Sequence, residues 1–227
     1  MKNILIFLLA VNFTHAQFGS GNITLESHYK NNILTSLSKA SEEKPDYSIE
    51  GSSCMFPETN LSNFVITATD KNEFTLKSLN YDLRTDHLFV AVSKDSIVEF
   101  KSNLVDRLTV DEKIYQFFEI NAVHKLSHVL FKSDKVVFIN TSYLRIAKEK
   151  IDPMTKLVTA RKKYIKEDKF YIKIGNNDFT EIKLKEKFIL KLFADKSILI
   201  KEYANKNSLD YSKSEDVVRV LTFYESL

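Results

Sequence analysis

The chain has 227 residues, 44% of them hydrophobic and 28% charged, with a formal charge of +3. That balance is ordinary for a folded protein, argues against disorder over most of the length, and is too weakly basic to imply a nucleic-acid partner. The single cysteine, Cys54, excludes an intrachain disulfide, and four glycines (Gly19, Gly21, Gly51 and Gly175) are too few and too scattered to form the loops that cradle nucleotide phosphates.

Residues 1–16 read as a secretory signal. Lys2 supplies a short positive region, Ile4 to Val11 an apolar run, and Thr14-His15-Ala16 small residues before a cut at Gln17. The run falls short of the roughly 18 residues that a membrane span needs, and no later run reaches that length. Gln17 stands where a bacterial lipoprotein would carry cysteine. The mature chain is therefore expected to be exported, to the periplasm, to the outer membrane or beyond the cell, without a transmembrane helix.

Residues 17–60 are polar and mixed. Ile33 to Leu37 suggests a short helix, while Lys44-Pro45-Asp46 and Phe56-Pro57-Glu58 mark turns. This stretch is expected to be an irregular N-terminal arm.

From Leu61 to Leu184 the pattern becomes short runs rich in Val, Ile, Phe, Tyr and Thr, separated by Asp, Asn, Lys and Ser. Strands are predicted at Phe64–Thr69, Glu73–Leu79, His87–Val92, Ser96–Phe100, Asp106–Val110, Lys113–Ile120, Val129–Lys132 and Lys135–Asn140. Turns are expected at Arg84-Thr85-Asp86, Lys94-Asp95 and Ser133-Asp134. Phe170–Ile174 and Phe179–Leu184, joined by Gly175-Asn176-Asn177-Asp178, predict a hairpin, because Gly and Asn accept the positive φ of its turn. Many of these strands are shorter than the roughly 9–11 residues of a membrane-spanning β-barrel strand, and the chain ends in helices.

Residues 185–227 change period from two to 3.6. Leu184, Phe188 and Leu192 form one apolar stripe, with Ile189 and Phe193 beside it. Asp195 is placed to cap a second helix carrying Ile198, Leu199 and Tyr203. Ser212-Lys213-Ser214-Glu215 fits a capping box ahead of Val217, Val220, Leu221, Tyr224 and Leu227. The fold class is thus α+β: an antiparallel β-meander, as a twisted sheet or partial barrel, followed by two to three C-terminal helices that pack on it.

The motif Leu79-Asn80-Tyr81-Asp82-Leu83, then Asp86-His87-Leu88-Phe89-Val90 and Val98-Glu99-Phe100, resembles exported proteins of flavobacteria and their relatives. The tail resembles them too, through Ile189-Leu190-Lys191-Leu192-Phe193-Ala194-Asp195, Ile200-Lys201-Glu202-Tyr203 and Val217 to Tyr224. The resemblance covers about Leu61 to Leu227 and includes the Ala16-Gln17 junction. That group carries no assigned activity, so the resemblance implies compartment and lineage and transfers no catalytic residue.

Residues able to carry chemistry are sparse. His124 and His128 would share a face if helical, but Lys125 occupies the place of the glutamate in a His-Glu-x-x-His zinc motif, and Glu119 or Asp134 would have to complete a site. Cys54 reads as a small hydrophobe, or as a nucleophile only if His87 or His124 served as its base. No Gly-x-Ser-x-Gly elbow is present. The adjacent acids Glu42-Glu43 and Glu167-Asp168 point to opposite faces of an extended chain, so neither makes a cooperating pair. Asp82, beside Tyr81, suits a turn whose backbone N–H groups it accepts. Asp95-Ser96-Ile97 matches a short bacterial O-glycosylation pattern, and Asn22-Ile23-Thr24, Asn60-Leu61-Ser62 and Asn140-Thr141-Ser142 match N-glycosylation sequons. No catalytic, cofactor or metal residue is assigned.

One charged window stands out. Between Arg145 and Lys169 lie nine basic residues (Arg145, Lys148, Lys150, Lys156, Arg161, Lys162, Lys163, Lys166 and Lys169) and four acids, a net of +5. Such a rim either is plainly solvated or meets an anionic surface or an envelope protein. The expected function is a non-enzymatic envelope protein acting by binding or scaffolding. A periplasmic carrier of an apolar ligand and an exported hydrolase are the alternatives.

Overall fold

The computed structural model describes residues 34–39, 49–57, 63–93, 96–193 and 195–227. The signal segment, Glu42-Glu43, the Lys94-Asp95 turn with its O-glycosylation pattern, and the sequons at Asn22 and Asn60 lie outside them.

The architecture is α+β: antiparallel sheets followed by C-terminal helices. The strands are β1 (Leu34–Lys39), β2 (Ile49–Glu50), β3 (Phe64–Ala68), β4 (Glu73–Leu76), β5 (Asn80–Asp82), β6 (His87–Ser93), β7 (Ser96–Phe100) and β8 (Val105–Val110). They continue as β9 (Lys113–Ile120), β10 (Val123–Lys132), β11 (Val136–Ala147), β12 (Lys150–Ile151), β13 (Val158–Ala160), β14 (Lys162–Ile174) and β15 (Thr180–Ile182). Helices α1 (Glu186–Leu192), α2 (Ser197–Lys206) and α3 (Ser214–Glu225) follow. A 9-stranded open sheet runs β15-β14-β11-β10-β9-β8-β3-β4, with β2 added in parallel on β14, and a 4-stranded sheet runs β1-β7-β6-β5.

The predicted strands from Phe64 to Asn140 are present, and Phe170–Ile174 pairs with Thr180–Ile182 through a turn in which Gly175 has φ 59°. Four differences have local causes. Leu34–Lys39 is a strand paired with β7, not the helix suggested by Ile33 to Leu37, because the edge of β7 offers it a ladder, with one irregularity between Leu34 and Leu37. Val123–His128 is strand, not helix or turn, so His124 and His128 lie about 13 Å apart along one strand face rather than on adjacent helical turns. β11 and β14 run far past Asn140 and Phe170, together forming a hairpin paired from Val136↔Ile174 to Ala147↔Lys163. Finally, neither expected helix cap forms. Lys196 and Lys213 occupy the N-cap positions without side-chain bonds, while Ser212 donates instead to Asp210, whose own N–H is taken by Asp216.

With few glycines, the meander turns on other residues. Asp111-Glu112 joins β8 to β9 and Asn121-Ala122 joins β9 to β10, and all four have positive φ (46°, 66°, 52° and 62°). Two consecutive left-handed residues make the type I′ turn whose twist matches that of the flanking strands.

Two cores flank the middle of the large sheet. One joins Phe64, Ile66, Leu108 and Leu126 to Leu79, Tyr81, Leu88 and Phe100 of the smaller sheet and to Phe56. Phe56 is held by a reciprocal pair of bonds: its N–H donates to Asn80 Oδ1 at 3.0 Å, and Asn80 Nδ2 donates to its carbonyl at 3.0 Å. The second core seats Val136, Phe138, Ile172 and Ile182 under Ile189, Phe193, Ile200, Val217, Val220 and Leu221 of the helices. The third helix buries the expected face (Val217, Val220, Leu221), whereas the first two turn somewhat different faces inward. Phe188, Ile198 and Leu199 are exposed, while Ile189, Phe193 and Ile200 are buried.

A polar seam locks the two sheets. Tyr81, 1% exposed, accepts the Leu126 N–H at 3.2 Å and donates to Asp86 Oδ1 at 2.9 Å. Both Asp86 oxygens accept from Lys125 Nζ at 2.8 Å, so Tyr81, Asp86 and Lys125 are all bonded within the seam. Desolvation among these groups raises the Tyr81 phenol far above its ordinary value of 10.0, keeping it a neutral donor.

Candidate functional site

The distal half of the β11–β14 hairpin leaves the body of the molecule. β10 pairs with β11 only from Val137 to Asn140, whereas β14 stays paired to β11 as far as Ala147. Beyond Leu144, which still packs on the first core, every residue from Arg145 to Lys163 is exposed except Ala147 and Asp152. At its base the hairpin is anchored by β2, which pairs in parallel at Lys162 and Lys163, and by the Arg145 guanidinium bonded to Glu167.

The tip is an ordered turn. Lys150 and Ile151 of β12 pair with Ala160 and Val158 of β13. Inside them the Asp152 N–H donates to the Leu157 carbonyl, and the Lys156 N–H to the Asp152 carbonyl, both at 2.9 Å. The Asp152 carboxylate accepts from the N–H groups of Thr155 (2.7 Å) and Met154 (2.8 Å), and those bonds hold its pKa below the usual carboxylate value. Lys156 supplies the left-handed residue at φ 58°. This local bonding fixes an apolar crown: Met154 is 91% exposed and Leu157 67%, with Ile151 and Val158 also open to solvent. Isolated exposed apolar residues are commonplace, but four of them gathered on one bonded turn are not. Arg145, Lys148, Lys150, Lys156, Arg161, Lys162 and Lys163 lie along the same arm, between its root and that crown or beside it in sequence. The basic window read from sequence thus lies mostly on this exposed two-stranded arm, with Lys166 and Lys169 beyond its root.

A second feature opens on the sheet between the two cores. It is a cleft of about 740 Å³ bordered by Met55, Phe56, the β8–β9 turn, and the start of α3. One row of paired residues crosses its floor: Tyr115, His128, Asn140 and Phe170. The His128 ring lies on Tyr115 (centroids 5.1 Å apart), and burial, assisted by Lys113, lowers its pKa. Ser142 Oγ donates to Asp168 Oδ1 at 2.6 Å. Asp111, Asp168 and Glu215, against Lys113, give the walls an acidic character, while Met55, Phe56, Val110, Leu130 and Phe170 supply apolar surface.

The other residues weighed from sequence are dispersed. His124 stacks on Phe117, with Nδ1 3.2 Å from Ser102 Oγ, and His87 Nδ1 lies 3.3 Å from Glu99. Cys54 is half-buried in a bridge to Asp82, and Asp82 accepts the Arg84 N–H as a turn-former does. Glu167 and Asp168 face opposite ways, toward Arg145 and Ser142 respectively. Asn140 sits mid-strand, paired on both sides, rather than in a surface loop. Among the described residues, no three His, Cys, Asp or Glu side chains are grouped to hold a metal ion, and no helix is long and apolar enough to cross a membrane. The sequence signal for the arm was its charge. Its apolar crown went unnoticed because Ile151, Met154, Leu157 and Val158 are not periodic. Comparisons of the chain with protein-family models, with curated proteins and with solved structures returned no match.

Proposed function

We propose that this is an exported envelope protein that acts by binding, and that the arm from Arg145 to Lys163 is its contact surface for an anionic partner. The observation that carries this reading is the combination of projection and charge: a two-stranded arm, tied down at its base, displays seven cations against two acids. Cations held on a rigid paired backbone lose little freedom when they meet an anionic surface, so their attraction is spent on binding. The body of the molecule supports the arm in this scheme. Its cores bury large side chains such as Phe64, Tyr81, Phe138 and Phe193, and α3 is tied to the β10–β11 turn by Ser133 Oγ donating to Glu225 at 2.6 Å.

The test is charge reversal at the root of the arm. A triple substitution, Arg161→Glu, Lys162→Glu and Lys163→Glu, alters exposed side chains and leaves the backbone pairing in place. Retention of the protein on the cell envelope at low salt is expected to fall at least tenfold, and in the wild type it should weaken as salt is raised. Undiminished retention of the triple variant would remove the arm as the contact surface.

A further inference from the structure

The geometry points to a more specific partner, resting on the binding role just proposed: the arm docks on an anionic phospholipid bilayer and inserts its tip below the headgroups. Charge alone would suit any polyanion. What selects lipid is the order of chemistry along the arm. Met154 and Leu157, the most exposed apolar side chains of the arm, stand at its far end, flanked by Ile151 and Val158, which are opposite one another across β12 and β13. The cations lie behind and around them: Lys148, Lys150, Lys156, Arg161, Lys162 and Lys163. A polyanion such as a polysaccharide offers the crown nothing apolar to enter. A bilayer offers phosphates at the level of the cations and hydrocarbon just beneath, which is the layering that interfacial membrane-binding segments follow.

The tip meets a further requirement for entry. Backbone groups carried toward hydrocarbon must already be bonded, since water is lost there. In this turn the N–H groups of Asp152, Met154, Thr155 and Lys156 all have acceptors within the turn. The Asp152 carboxylate serves as the acceptor for two of them, so its charge is turned onto the turn's own N–H groups. Two signals, an apolar insertion and a polybasic collar, together give firmer attachment than either alone.

The experiment uses the full chain carrying Cys54→Ser with an environment-sensitive fluorophore on Met154→Cys, and a matching control on Asn176→Cys in the β14–β15 turn. Each is mixed with vesicles of phosphatidylcholine containing about a third phosphatidylglycerol, with phosphatidylcholine alone, and with heparin. Expected are binding to the anionic vesicles, a blue shift at position 154 with quenching by acyl-chain nitroxides, and neither signal at position 176. Met154→Asp with Leu157→Asp, in the unlabelled chain, should weaken vesicle binding at least tenfold and leave heparin binding unchanged. Binding to anionic vesicles and to heparin without quenching at position 154 would overturn insertion and leave the anionic contact standing. Failure to bind either anionic ligand would overturn both.

Discussion

At the scale of single residues, this chain solves with ordinary amino acids what other proteins assign to glycine. Ala122 holds φ 62° on an exposed turn, where an L side chain crowds the following carbonyl at a cost of about 1–2 kcal/mol. Ala122→Gly removes that strain and adds some freedom to the unfolded chain, so it is expected to stabilise the protein by about 0.5–1 kcal/mol in urea unfolding. Destabilisation would mean that the β9–β10 turn is not type I′. His128 makes a second prediction, in pH. Its folded pKa lies below the ordinary 6.5, chiefly through burial, so as pH falls the unfolded chain takes the proton first. Stability is therefore complete above about pH 6.5 and declines as pH drops through the folded value. His128→Gln should flatten that decline relative to the wild type, measured as the unfolding midpoint against pH. Parallel curves for the two proteins would contradict the buried, neutral histidine.

At the scale of elements, what was legible in the sequence followed from period and punctuation. Strands bounded by Asp, Asn or Gly, such as Lys113–Ile120 and the Gly175 hairpin, could be placed because alternation and turn chemistry agreed. Three helices could be found because apolar residues recur at helical spacing. The inward face of the third, Val217, Val220 and Leu221, could be read as well; those of the first two could not, since which stripe is buried depends on how each helix docks on the sheet. Ile198 and Leu199 lost to Ile200 for that reason. Leu221→Ala is expected to cost about 2–5 kcal/mol, and Ile198→Ala to stay within about 0.5 kcal/mol. Equal costs in chemical denaturation would refute the observed packing. The length of the arm's strands was not legible because in Lys162–Lys169 only Tyr164 and Ile165 are apolar, and a strand with little buried surface has little apolar pattern. Pairing along its whole length to β11 is a tertiary fact. Of the candidate site, its charge was visible beforehand, and the turn that gathers Ile151, Met154, Leu157 and Val158 was not.

At the scale of the whole molecule, a body with buried apolar cores carries a projecting, basic, apolar-tipped arm. The two cores and the Tyr81–Asp86–Lys125 seam make the body rigid enough to aim it. The acidic cleft lies on the same sheet, yet the arm's cations face outward from Arg145 onward. A contact made through the arm therefore leaves the cleft and the helical face open. The most direct measurement is photo-cross-linking in intact cells, with a photoreactive residue placed at Met154 and, separately, at Asn176. Adducts with envelope material are expected from position 154 and not from position 176. Equal labelling from both positions, or none from position 154, would contradict the assignment of the arm as the contact surface.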